Sequence, residues 1–176
     1  LADRLNEAGK ARVCIGICSE ILQAGDAYSS NIQCGALSLL TEAKGTQAIE
    51  DLFVAVDSDN PELQAAALML AQKQPGSVAT VQWLNKLGQV SPERQSKVLA
   101  MLGRRGDKIA TSAVREFLAS SDKTVRSAAL KTVVQLDGTA AVLDLLKAMK
   151  TAQADEIQAI QSLLMQVPAE PMIAGV

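Results

Sequence analysis

Apolar residues recur along this chain at helical spacing, and the helical stripes themselves recur every 31 residues. Four segments can be laid over one another from Ile32, Leu63, Arg94 and Val125. Four positions on stand Ala36, Ala67, Val98 and Ala129; five on come Leu37, Leu68, Leu99 and Leu130; eight on come Leu40, Ala71, Leu102 and Val133. These offsets share one face of a helix, so each segment predicts an amphipathic first helix. The small residue lets a neighbouring helix approach, and the leucine beside it fills the space between them. One position after each start lies a polar row of Gln33, Gln64, Gln95 and Arg126.

A glycine follows each of these helices, at Gly45, Gly76, Gly106 and Gly138, with Gly9 as an earlier member. Glycine takes the left-handed conformation that ends a helix without a side-chain clash. Beyond it a second stripe begins: Ile49, Leu52, Phe53 and Val56 in one copy, Val142, Leu145, Leu146 and Met149 three periods later. The turns Asp57–Pro61, Val90–Pro92 and Ser120–Lys123 precede the next first helix, and Asn60 before Pro61 and Ser91 before Pro92 read as capping residues next to a proline at a first helical position. No alternation long enough for a strand survives, and the prolines lie at turns or in the tail.

The predicted fold is therefore all-α, a solenoid of about five helical hairpins with a period near 31 residues, in which each pair packs on the pairs before and after it. The expected domain runs over 1–167: a divergent or truncated first copy at 1–25, regular copies over 27–150, a degraded last helix over 152–167, and a tail over 168–176. In the first copy Leu1, Leu5 and Ala8 share a side, and Gly9–Gln23 fits a second helix. Because the first residue is not methionine and already looks helical, the expectation is a piece of a longer protein. In the last helix Ala159, Leu163, Leu164 and Val167 keep the stripe with about three residues inserted, and Pro168 and Pro171 stop it.

Composition changes this picture little: 48% of residues are hydrophobic and 2% aromatic, so the core is built from Ala, Leu, Val and Ile. Charge changes it more. The net value is −2, yet residues 42–62 carry six acids against Lys44, while residues 86–131 carry ten bases against four acids. An acidic section should precede a basic one.

Three cysteines, Cys14, Cys18 and Cys34, are an odd number, which excludes a complete disulfide framework and points to reduced thiols in a reducing compartment such as the cytoplasm. A signal peptide on a longer parent would instead place the domain in the periplasm. With no histidine, a zinc site would need a carboxylate as fourth ligand, and small buried hydrophobes are the simpler role for these cysteines; no metal and no cofactor is expected. The same absence removes Ser-His-Asp and Cys-His catalysis. No apolar run approaches the roughly 20 residues of a membrane helix, so membrane insertion is not expected.

Candidate partner-binding residues follow from what varies between copies. Aligning second helices on Ile49, Val81, Ala110 and Val142 puts Val54, Lys86, Arg115 and Lys147 in one row, a line of cations for phosphates or an acidic protein surface, or for the dipole at helix ends. In that register Leu84 joins Val81 and Leu87 in the buried stripe and leaves Trp83 partly exposed, as an anchor for a partner.

The run Thr124–Met149 resembles a HEAT-like repeat of the type found in phycobilisome lyases and many bacterial scaffold proteins, with similar signatures at Leu63–Leu70 and, with charged departures at Arg94 and Lys97, at Arg94–Leu102. The resemblance implies a right-handed armadillo-like superhelix whose second helices line the concave side. It would put Asp51, Trp83, Arg115 and Asp144 on that inner surface. The function so implied is a non-catalytic protein-interaction scaffold. A nucleic-acid-binding solenoid, similar to the HEAT-like DNA glycosylases and using the section 86–131, ranks second, and a bilin lyase-related enzyme third.

Overall fold

The computed structural model describes the backbone of residues 2–167 and the side chains of residues 9–167. Every regular element among them is helical: α1 (Ala2–Gln23), α2 (Ser30–Lys44), α3 (Ile49–Asp57), α4 (Pro61–Lys73), α5 (Ser77–Leu87), α6 (Pro92–Arg105), α7 (Thr111–Glu116), α8 (Lys123–Asp137), α9 (Val142–Met149) and α10 (Ala154–Leu164), with short 3-10 turns between several of them. The all-α helical-repeat fold is as the 31-residue ladder predicts. Two compact units divide the chain, Leu1–Ala79 and Thr80–Val176.

In the first unit α2 packs between α1 and α4, and α3 packs on α2 and α4. In the second, α8 packs between α6 and α10, α7 packs on α8, and α9 packs on α8 and α10. First helices thus stack on first helices, and the ladder residues are what they stack with. Ala36, Ala67, Val98, Ala129 and the leucines Leu37, Leu68, Leu99 and Leu130 are all buried. Between α6 and α8 the helices approach closely at Gly103, where a Cβ would lie 3.4 Å from Thr132 Cα and displace the end of the Gln135 side chain. The Thr132 hydroxyl crosses the same seam to donate to the Leu99 carbonyl at 2.8 Å.

The polar row has a structural job. Gln33 Nε2 donates to the carbonyls of Gly25 and Tyr28 at 3.0 and 2.8 Å, Gln64 Nε2 to Ser58 O at 2.6 Å, and Gln95 Nε2 to Leu87 O at 3.2 Å. Arg126 Nη1 does the same toward Ser120 O and Ser121 O at 2.9 Å each. One long side chain per repeat clamps the turn leading into its helix, satisfying carbonyls that the turn cannot pair itself, at roughly 1 kcal/mol per bond.

Helix ends follow the sequence in most places. Gly45, Gly76, Gly106 and Gly138 all have positive φ, and Gly106 at φ 70° is the left-handed cap of α6. Asn60 Oδ1 accepts the N–H groups of Glu62 and Leu63, and Asp122 Oδ1 those of Thr124 and Val125. Ser91 occupies the cap position of α6, but its side chain makes no capping bond.

Four expectations need correction. Gly9 lies inside α1 and does not end a helix; the left-handed glycine at that end of the chain is Gly25, at φ 52°. The last turns of α1 do keep second-helix register, Cys18 and Ile21 standing 31 residues before Ile49 and Leu52. Nothing is inserted before α10, whose cap Gln153 stands 31 residues after Asp122; Ile160 and Leu163 are its buried residues, and Ala159 is exposed. Ile32 is 48% exposed, as is its neighbour on the same stripe, Leu39, at 52%, although Val125 and Thr132, three periods later, are fully buried. The reason is that α1 rests on Ala36 and Leu40 through Cys18, Cys14, Ile15 and Leu22, leaving uncovered the stripe that α8 turns toward α6. The side chains of Leu1, Leu5 and Ala8 and the segment 168–176, with Pro168 and Pro171, lie outside the described residues.

Candidate protein-interaction surface

The second helices carry the variation between repeats, and burial fixes their alignment. Ala48, Ala79, Ala110 and Ala141 are all buried, 31 residues apart, and so are Leu52, Trp83, Val114 and Leu145. Trp83 therefore fills a core position that leucine or valine holds elsewhere, and it is fully buried, not an exposed anchor. Thr80, not Val81, is the inward partner of Ile49 and Thr111. Its buried hydroxyl donates to Asp107 Oδ2 at 2.8 Å and accepts from Arg105 Nε at 3.0 Å, which is what makes a polar residue tolerable there.

That register separates the three cations. Lys86 aligns with Ala55, Phe117 and Ala148; Arg115 with Phe53, Leu84 and Leu146; Lys147 with Val54, Asn85 and Glu116. They do not form one line on successive repeats. Lys86 is half-buried in the last turn of α5, and Lys147 is exposed in the last turn of α9.

Arg115 and Asp144 are joined directly. The Arg115 Nε donates to Asp144 Oδ2 at 2.9 Å, and its Nη2 to Asp137 Oδ2 at 2.6 Å, so one planar fork reaches the end of α8 and the first turn of α9. These bonds hold the Arg115 guanidinium above its ordinary pKa, Asp144 being the larger influence. Other cations of the basic section are also engaged within the unit: Lys97 with Glu93, Lys123 with Asp155, and Arg126 with Glu156 at 2.7 Å.

In the first unit Asp51 stands where Asp144 stands in the second, three periods apart, and Lys44 stands where Asp137 does. Lys44 Nζ lies 2.8 Å from Asp51 Oδ2. Asp51 borders an open groove of about 1000 Å³ between the end of α1, the turn before α2, and α3. Leu22, Asp26, Tyr28, Val54 and Asp59 share its walls, and no lysine or arginine lines it. Val54 is 73% and Tyr28 41% exposed, so the groove offers apolar surface beside its carboxylates. Nothing in the sequence marked this groove except the acid excess of 42–62 and the isolated Val54 in the cation alignment.

A second concavity, about 940 Å³, runs along the bare stripe of α2 and is walled by Val13, Ile17, Ile32 and Leu39. Cys14 and Cys18 lie at its base, Sγ to Sγ 4.0 Å, and burial pushes the Cys18 thiol above its ordinary pKa. Among the described residues no group of three or more Cys, Asp or Glu side chains is placed to hold a metal ion, and no helix is long and apolar enough to cross a membrane.

Compared with known protein families, residues 80–164 match HEAT repeats. Among curated proteins none matches the chain.

Proposed function

We propose that the chain, whose residues 80–164 match HEAT repeats, acts as a non-catalytic protein-interaction scaffold whose binding surface is the groove between α1 and α3. The observation that carries this is the pairing, in one open groove, of exposed Tyr28 and Val54 with the carboxylate of Asp51. Apolar anchors beside fixed charge give a protein segment both affinity and orientation. A repeat scaffold needs no more than a shaped surface.

A protein partner fits better than nucleic acid. Phosphate binding draws on cations whose charge is not already neutralised, and four of the ten bases of the basic section, Lys97, Arg115, Lys123 and Arg126, are held in ion pairs with carboxylates of their own unit. No row of aromatic side chains offers stacking to bases, Trp83 being in the core.

A randomised peptide library displayed against the protein tests the reading. Peptides enriched on the protein should be lost on the double variant Tyr28→Ala, Val54→Gln, which removes both exposed anchors without changing charge. Enrichment of the same peptides on that variant would defeat the assignment of the groove.

A further inference from the structure

The segment that folds around the groove, residues 19–63, carries eight acids and one base, a balance of −7. Asp26, Asp51 and Asp59 line the groove itself, and its walls contain no cation. The second unit shows what the repeat does with a carboxylate at the Asp51 position. There Asp144 receives Arg115, which projects from the preceding second helix and bridges to Asp137. Three periods before Arg115 stands Leu22, which lines the same groove as Asp51. The first unit thus keeps the acceptor of this bond, places an apolar side chain where Arg115 would stand, and pairs the acceptor with Lys44 instead.

We propose that the groove of the first unit binds a partner segment carrying arginine or lysine on an amphipathic face, with one partner cation seated against Asp51 as Arg115 is seated against Asp144. The proposal rests on the scaffold function assigned to this groove. The apolar side of the segment covers Leu22, Tyr28 and Val54, and a further cation faces Asp26. Lys44 competes with the incoming cation, because it occupies the place of the second carboxylate, Asp137, and bonds Asp51 itself. The acid excess steers the approach, so association weakens as salt is added.

Two labelled twelve-residue peptides, one alternating arginine pairs with leucine and valine and one with glutamate in place of every arginine, are titrated with the protein by fluorescence anisotropy. The arginine peptide binds, Asp51→Asn weakens it about tenfold, the effect of losing one charge-assisted bond, and Lys44→Asp tightens it by rebuilding the two-carboxylate acceptor of the second unit. Glu42→Gln, an exposed acid off the groove, leaves it unchanged. Thermal melts of each variant confirm that the fold is intact, and Asp26→Asn, in an exposed turn, provides a second groove charge should Asp51→Asn unfold. Binding of the glutamate peptide at least as tight as the arginine peptide overturns the basic partner, as does an equal loss with Glu42→Gln and Asp51→Asn, which would signify diffuse attraction. If peptides without cations are the ones that depend on Tyr28 and Val54 in the display experiment, the groove stands as a binding site and the basic partner falls. If no peptide depends on those residues, the scaffold assignment itself falls.

Discussion

The Arg115 Nε lies 2.9 Å from Asp144 Oδ2, a bond that spans 29 residues and fastens α7 to α9. With the second bond to Asp137, Arg115 closes a contact that packing of the six-residue α7 alone would leave weak. The side chain is 37% exposed, so solvent screens the pair and the expected contribution is small. Arg115→Met should lower unfolding free energy by about 1 kcal/mol, and Arg115→Lys should recover less than half of that, since a single ammonium cannot reproduce the fork. Urea unfolding of Arg115→Met, Asp144→Asn and the double variant, each against the unaltered chain, measures the coupling. A coupling energy of zero would show that the bond is absent in solution.

Trp83 sits in the core at the position of Leu52, Val114 and Leu145, and its replacement should be read in the melting curve before any binding assay. Trp83→Ala should cost about 3–5 kcal/mol, the range for removing a fully buried large aromatic. Trp83→Leu, which supplies the residue used at this position in two other repeats, should cost clearly less. As the only tryptophan, its emission also reports directly on its surroundings: a blue-shifted native band that moves red on unfolding is expected. A native band at the water-exposed wavelength would contradict the burial.

First helices were legible in the sequence because two features coincide there, an alanine or valine beside a leucine at a fixed offset and a glycine one helix length later. Second helices were legible as elements but not in register. Hydrophobicity favours Val81 as the inward residue over Thr80, and only the bonds from Thr80 to Asp107 and Arg105, which join residues more than 20 apart, reverse that preference. The alanine row Ala48, Ala79, Ala110 and Ala141 was the available signal: it puts Ile49, Thr80, Thr111 and Val142 in one row, where the apolar alignment took Val81 and Ala110 in place of the two threonines. The one-residue slip was enough to gather Lys86, Arg115 and Lys147 into a false line and to turn Trp83 outward. Ile32 shows another limit: it heads the same apolar pattern as Leu63 and Val125, and its exposure depends on where α1 rests, which the repeat pattern does not encode. The groove was least legible, because its walls come from three elements and its charge becomes meaningful only beside the Arg115–Asp144 bond.

Acid titration should expose the ion pairs on α10. The bond from Arg126 holds the Glu156 carboxyl below its ordinary value of 4.5, with the Gln153 N–H assisting, and Lys123 lowers Asp155 in the same way. A carboxylate whose pKa is depressed on folding is bound to fewer protons in the folded chain than in the unfolded one. Its contribution is complete above the unfolded value and is lost as pH falls through the folded one. The melting temperature should therefore hold from neutral pH down to about pH 5 and decline below it. Arg126→Gln separates the two tasks of this side chain. It restores the glutamine that Gln33, Gln64 and Gln95 use to clamp the preceding turn, while removing the bond to Glu156. The variant should keep more stability at pH 7 than Arg126→Ala, which loses both, and its melting temperature should fall less steeply between pH 5 and pH 3 than that of the unaltered protein. An acid limb as steep in Arg126→Gln as in the unaltered chain would show that the Arg126–Glu156 bond does not govern the response.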